Sequence, residues 1–414
     1  MRRIVLLAAV LATLAAAGSA KASRYIRFGI QDDAWLSYGD GTLASRLDRL
    51  DDLGVGVVRV TLNWNEVEPT RTTENWSRYD DLLNGLHERG IAPLVTLWGS
   101  PRWANGDRAP NWAPTSKWTF AGFARRAAER YPFVHMWGIW NEPNQRRWLR
   151  PTSAKVYVQK LLNPAYVAIH NATRNVQVAG GVTAPRGSTG GVSPVDWIAD
   201  MARAHARLDA YAHNPYPLRP KETPTSGGCD HCMTITMATL DRLLTDVRRA
   251  FGTHTRIWLT EYGYQTNPPD RLLGVSYATQ ARYLSEAALR AYEAPRVDVL
   301  IHYLVRDEPD PARWQSGLLT VRDATKPAYQ AFRFPLAERS RRGLRTVLWG
   351  QIRPGRRGTY RLQQFRGGRW QSVGGDYRTT VRGFFSRTVR AGKGSRLRVW
   401  IPQAHTYSPI VTVT

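Results

Sequence analysis

Cysteine, lysine and long apolar runs are all scarce in this chain of 414 residues, and each shortage narrows what it can be. There are two cysteines, Cys229 and Cys232, in the loop Gly227-Gly228-Cys229-Asp230-His231-Cys232. A C-x-x-C pair is a redox centre, half a zinc site or a small disulfide. A zinc site needs about four ligands, and no second pair exists. In an oxidising compartment the pair is best read as a loop-pinning disulfide. One apolar run stands out, Ile4 to Ala17, behind Arg2 and Arg3 and ahead of the small residues Gly18, Ser19, Ala20 and Ala22. It is shorter than the ~20 residues that span a bilayer. Residues 1–22 therefore read as an export signal cut near Ala20 or Ala22, rather than as an uncut anchor. No later stretch is apolar enough to cross a membrane, so the expected product is soluble and secreted, or held at a bacterial cell wall.

Lysine supplies only seven of the 58 basic residues. Acids are rarer still at the C-terminal end. From Arg339 onward there are 16 Arg and one Lys against the single acid Asp376, so this stretch carries +16 of the formal net charge of +25. Such a field favours polyanionic partners, though an arginine-rich compositional bias accounts for it equally well. Nucleic acid is not expected, because no aromatic platform with base-reading spacing accompanies the charge.

Hydrophobic residues make up 43% of the chain, with 16 Trp and 18 Tyr, enough for a large core and a small second one. Up to residue 338 short apolar runs alternate with helical spacing. The runs are 25–30, 57–62, 92–97, 134–140, 176–180, 208–212, 256–260 and 297–303. Between them lie stripes such as Leu43-Leu47-Leu50-Leu53 and Leu240-Leu243-Leu244-Val247. Eight strand–helix repeats in about 310 residues predict an α/β fold of the (β/α)8 TIM-barrel type. An open doubly wound sheet would carry a Gly-rich turn after its first strand, and Phe28-Gly29-Ile30-Gln31-Asp32 is not one. After about Glu338 the text changes to alternating runs such as Leu397-Arg398-Val399-Trp400-Ile401, broken by Gly and Arg. That pattern predicts a small all-β, sandwich-like domain. The expected division is 1–22 signal, 23–338 barrel and 339–414 basic accessory domain, with Arg339-Ser340-Arg341-Arg342-Gly343 as linker. The accessory domain is read as a matrix anchor whose removal leaves turnover of small substrates unchanged.

Catalytic groups of such barrels sit at the C-terminal ends of strands. Two strands end in carboxylates: Trp140-Asn141-Glu142-Pro143-Asn144 on the fourth and Trp258-Leu259-Thr260-Glu261-Tyr262-Gly263 on the seventh. An acid at the end of an apolar strand is desolvated enough to keep a proton, as a general acid requires. A second carboxylate across the mouth can attack an anomeric carbon.

The two motifs, in this order, resemble the acid/base and nucleophile strands of the large retaining clan of barrel glycosidases. Within it the likeness is strongest to family 39 and neighbouring family 5. The stretch Asn141-Glu142-Pro143-Asn144, with Trp148 downstream, is especially similar to family 39. The resemblance covers roughly residues 25–335. It implies Glu142 as acid/base, Glu261 as nucleophile and Asn141 as a ligand of the sugar 2-hydroxyl. Arg59, a charge inside an apolar strand, needs a partner, and the resemblance makes that partner Glu261. On the sixth strand Tyr216 is expected to bond the nucleophile and His213 to contact substrate. The clan ends its eighth strand with a Trp under the reacting sugar. Here Ile301-His302-Tyr303 stands instead, so His302, Tyr303 or the downstream Trp314 must replace it. Trp98 and Trp103 are the chosen sugar-stacking residues.

The expected function is thus hydrolysis of O-glycosidic bonds in an oligosaccharide or polysaccharide by double displacement. No cofactor or metal is expected, and the chain is expected to be a monomer. The rival readings are a catalytically inactive carbohydrate-binding protein at the wall and a transglycosylase using the same carboxylates.

Overall fold

The computed structural model describes Ser23 and residues 25–414, so the export signal expected over 1–22 lies outside the described residues. Eight parallel strands close into a barrel: β1 (Arg27–Gln31), β2 (Val57–Asn63), β3 (Ala92–Trp98), β4 (Met136–Ile139), β5 (Gln177–Thr183), β6 (Ala210–His213), β7 (Arg256–Tyr262) and β8 (Val297–Tyr303). Closure is made by β1 pairing with β8, from Arg27 opposite Val299 to Gln31 opposite Tyr303. The barrel is filled by Val57, Leu94, Met136, Ala179, Ala210, Ala212, Trp258, Val299 and Ile301, all buried. The small Ala179, Ala210 and Ala212 on β5 and β6 leave room between the large Met136 on β4 and Trp258 on β7.

The helices cover the outside through the stripes visible in the sequence. Leu47, Leu50 and Leu53 are buried on the helix Leu43–Leu53, which Thr42 caps at its start and Gly54 ends at φ 75°. On Leu240–Phe251 the buried face is Leu240, Leu243, Leu244 and Val247. Gly29 is required within β1, since a Cβ there would lie 2.2 Å from the carbonyl oxygen of Val57. Among the described residues no helix is long and apolar enough to cross a membrane.

Past the barrel the chain is antiparallel. A three-stranded sheet runs in the order β13 (Phe384–Arg390), β10 (Arg345–Gln351), β9 (Leu336–Arg342). A second sheet runs β12 (Arg369–Arg378), β11 (Thr359–Arg366), β14 (Arg396–Ile401), β15 (Thr406–Tyr407), with β16 (Val411–Thr412) also on β14. A separate core that includes Leu348, Tyr360, Leu362, Phe385, Leu397, Val399 and Ile401 lies between them. The basic run read as a linker is the end of β9 and its turn at Gly343. The start of β9 buries the neighbouring Leu336 and Ala337, and the strand then runs outward so that Arg339, Arg341 and Arg342 are exposed.

The two parts are not loosely joined. Trp349 and Phe384 belong to the barrel's own apolar cluster, where both meet Tyr292 of the helix Tyr277–Glu293. Arg353 enters beneath the barrel, with its guanidinium 4.1 Å from the Phe28 ring centroid and 4.6 Å from that of Phe332. It is buried and donates to the Gln351 amide oxygen and the Phe332 carbonyl. Arg382 donates to the carbonyl of Ile26 just ahead of β1. A freely removable anchor, as the charge pattern implied, would not share a core with its neighbour.

Candidate active site

The C-terminal mouth of the barrel opens into a cleft of about 890 Å³. Glu142, Glu261, Asn141, Tyr216, Tyr303, Trp98, Trp148 and Trp314 are among its walls. The floor is organised by Arg59. This guanidinium on β2 is fully buried, and burying an unpaired charge costs several kcal/mol, so each nitrogen has a partner. Nε donates to Thr96 at 3.0 Å. One terminal nitrogen donates to Gln31 at 2.6 Å and to Glu261 Oε1 at 2.5 Å, and the other to Asn141 Oδ1 at 2.8 Å. Glu261 Oε2 accepts from the Tyr216 hydroxyl at 3.1 Å. Both oxygens of Glu261 are therefore fixed from below and from one side. Asn141 spends its carbonyl on Arg59, which turns its amide N–H groups away from that partner.

Glu142 is held differently. The strand end that carries it is strained, with Trp140 at φ 69° and Glu142 at φ 38°. Residues without glycine's freedom enter this region only when their surroundings enforce it. Here Trp140 N–H donates to Leu97, Glu142 N–H donates to Val182, and the Trp140 indole donates to the carbonyl of Trp148. Asn144 ties the following loop to Ala184 and Val192. The carboxyl is half-buried, and its pKa is raised to about 7 by loss of water and then by the charge of Glu261. An amide N–H of Asn214 on Glu142 Oε1, at 3.0 Å, works in the opposite direction. Asn214 is itself oriented by Thr260, whose hydroxyl donates to its carbonyl oxygen at 2.8 Å.

No protein-family profile matches the chain. Among solved structures it is similar to a family 39 glycoside hydrolase from the gut symbiont Bacteroides cellulosilyticus WH2. The two share 18% identity at a TM-score of 0.62, over 88% of this chain and 79% of that one. A family 39 enzyme from Xanthomonas axonopodis pv. citri gives 14% identity and a TM-score of 0.58, over 94% of each chain. A family 5 enzyme from Streptomyces cattleya, solved with GlcNAc, gives 17% and 0.56, over 76% and 79%. The fold is that of the barrel glycoside hydrolases.

Against that barrel frame, the residues singled out in the sequence divide cleanly. Glu142, Glu261, Asn141, Tyr216, Trp98 and Tyr303 border the cleft, with Arg59 directly beneath. His213 does not reach it. Its ring is buried, with Nε2 donating to the Ile235 carbonyl and Nδ1 beside the Thr183 hydroxyl. Burial also pushes its pKa down to about 4, so it is a neutral structural donor. His302 likewise turns away, donates to the Ser316 carbonyl and is pushed down to about 3 by burial. Trp103 packs on Trp64 and donates to the carbonyl of Glu68, outside the cleft. In place of a strand-eight Trp, Trp314 folds in from the loop and meets Tyr216 at 4.7 Å and Tyr303 at 5.6 Å between ring centroids.

Several cleft residues were not foreseen. Asn214, between His213 and Tyr216 in sequence, is fully buried and reaches Glu142 from behind the cleft wall. Asp33, which accepts from the Thr61 N–H and hydroxyl, lines the wall on the β1–β2 side. Arg147, Arg186 and Arg219 line it on the loops after β4, β5 and β6. Cys229 and Cys232 are bonded in the exposed loop after β6, with the bridge near Arg242, which donates to the Cys232 carbonyl. Among the described residues no group of three or more His, Cys, Asp or Glu side chains converges as a metal-ligand set.

Proposed function

We propose that this chain is a retaining glycoside hydrolase. Glu142 protonates the glycosidic oxygen while the Glu261 carboxylate attacks the anomeric carbon. The bond to the leaving group breaks and a glycosyl ester forms on Glu261. Glu142, now a carboxylate, takes a proton from water as that water attacks the same carbon, and Glu261 is released. Asn141 presents its amide to a hydroxyl of the reacting sugar. Tyr216 and Arg59 hold Glu261 in its attacking orientation and receive its charge again when the ester breaks. The observation that carries this reading is the unlike treatment of two carboxylates in one cleft. One is desolvated and keeps a proton up to about pH 7, while the other is clamped by a guanidinium and a phenol.

The test is product stereochemistry. An aryl glycoside identified from a panel is followed by proton NMR, and the first-formed sugar is expected to keep the substrate's anomeric configuration. A 2-deoxy-2-fluoro glycoside with a good leaving group should add one sugar mass to the peptide containing Glu261. Inversion, or labelling elsewhere, overturns the assignment.

We further propose that the protein is exported and that its C-terminal sheets hold it on an anionic matrix. Support comes from the outer face of the second sheet, where arginines and rings interleave. Arg398 lies 4.2 Å from the Trp370 centroid and 3.6 Å from that of Tyr407, and Arg396 lies 4.8 Å from that of Phe365. Stacked arginines keep unused N–H groups pointed outward, as recognition of sulfate, phosphate or carboxylate requires.

A further inference from the structure

Many arginines on the flanks of the barrel are held in ion pairs. Arg89 pairs with Asp48, Arg126 with Glu68, Arg130 with Asp80, Arg256 with Asp298 and Arg290 with Asp241. Three at the cleft are not. Arg147, Arg186 and Arg219 are exposed, and among the described residues none has an ion-pair or side-chain hydrogen-bond partner. These three follow one another around the rim on the loops after β4, β5 and β6, starting on the loop that carries Glu142. The carboxylates bordering the same cleft are otherwise engaged. Asp33 is held by Thr61 and Gln31, and Glu308 faces Arg313 at 3.6 Å. One wall of the cleft therefore presents three guanidinium forks with no acid beside them, Arg147 lying 5.6 Å from the Trp148 ring centroid, whereas Arg313 on the opposite side faces Glu308.

Resting on the reading of this cleft as the place where a glycan is cut, we propose that its substrate is an anionic glycan. Its carboxylate, sulfate or phosphate substituents are bound by Arg147, Arg186 and Arg219. A planar guanidinium donates two parallel hydrogen bonds to any of these groups, and like charges along a cleft with low-dielectric walls reinforce one another. Trp98 and Trp148, whose ring centroids lie 5.6 Å apart, border the same cleft and supply the apolar surface for sugar rings between the charges.

The test is calorimetric binding to the full-length protein. Oligogalacturonate, a sulfated oligosaccharide and a glycerol phosphate oligomer are compared with a neutral oligosaccharide of equal length, for the wild type and for R147A/R186A/R219A. Because the C-terminal sheets are present in both proteins, the difference between them isolates the cleft. At least one anionic oligomer should bind the wild type more tightly than the neutral one, and the triple variant should lose about tenfold or more of that affinity. Which oligomer responds identifies the substituent. R147K/R186K/R219K, which keeps the charges without the forks, should fall between. Equal affinity of the wild type and R147A/R186A/R219A for all three anions overturns the proposal. Turnover of neutral aryl glycosides by the wild type is measured separately, so a failure of the hydrolase reading is seen on its own.

Discussion

Asn214 donates an amide N–H to Oε1 of Glu142 at 3.0 Å, and this bond opposes the burial that keeps Glu142 protonated. Removing it in Asn214→Ala should raise the Glu142 pKa further and move the alkaline limb of the activity profile upward. The rate at the optimum should fall by about tenfold or more through lost orientation of the acid. A profile whose alkaline limb does not move would mean that Asn214 only packs the strand end.

In the wild type, kcat/KM should decline as pH rises past about 7, where Glu142 loses its proton. Glu142→Ala should remove this limb while still forming the glycosyl enzyme from substrates whose leaving groups need no proton, and azide should speed its breakdown. Glu261→Ala should be inactive on every substrate unless azide attacks directly, giving the inverted product. Rescue in the opposite pattern means that the two roles are exchanged.

The same titration carries a stability cost. A carboxyl whose pKa is higher in the folded than in the unfolded state binds its proton more tightly when folded. Folded stability therefore falls as pH rises from about 4.5 to about 7. Glu142→Gln removes that dependence. Its melting temperature should match the wild type at pH 4 and exceed it at pH 8, by an amount equivalent to at most about 3 kcal/mol. Equal melting temperatures at pH 8 would count against a desolvated acid at this position.

Truncation after Glu338 should do more than weaken retention on anionic material. It strips Trp349, Phe384 and Arg353 from the barrel, so we expect low soluble yield and loss of turnover even on small substrates. The milder Arg353→Ala should cost about 2–4 kcal/mol, from the cavity between Phe28 and Phe332 and the lost donors to Phe332 and Gln351. A chemical denaturation series checks the point variant. Unchanged turnover by the truncated chain would restore the reading of a detachable anchor.

Unfolded, unreduced protein should contain no titratable thiol, because Cys229 and Cys232 are joined. The bridge spans a sequence separation of 3, and loop-entropy reasoning gives so short a closure about 2 kcal/mol. Reduction should therefore lower the melting temperature only slightly. Two thiols found without reductant would show an open pair.

The barrel was legible because each strand is a short apolar run followed by a stripe of helical period, and both periods are local properties of the chain. The carboxylates were legible because they end strands. Local pattern fails where neighbours on one strand must be told apart. His302 and Tyr303 are adjacent, yet one turns to Ser316 and the other to the cleft. At β6 the difficulty is greater, since the pairing of β5 with β6 shifts between Gly181 and Thr183. That irregularity sends His213 toward Thr183 and leaves Asn214 to reach Glu142. The place of Arg353 was not legible at all. Nothing near it in sequence names Phe28, and charge alone marked it as one more surface cation.

Arg353 also sets an order of events. Gly54 ends the first long barrel helix, and an added Cβ there would stand 2.6 Å from the Cβ of Arg353, so the two segments are fitted to each other across most of the chain. Arg353 follows all eight barrel strands in the chain, so a barrel formed ahead of the C-terminal sheets lacks the guanidinium that fills the space between Phe28 and Phe332. A contact between residues so far apart in sequence is expected to form late, because a large loop must close before it is made.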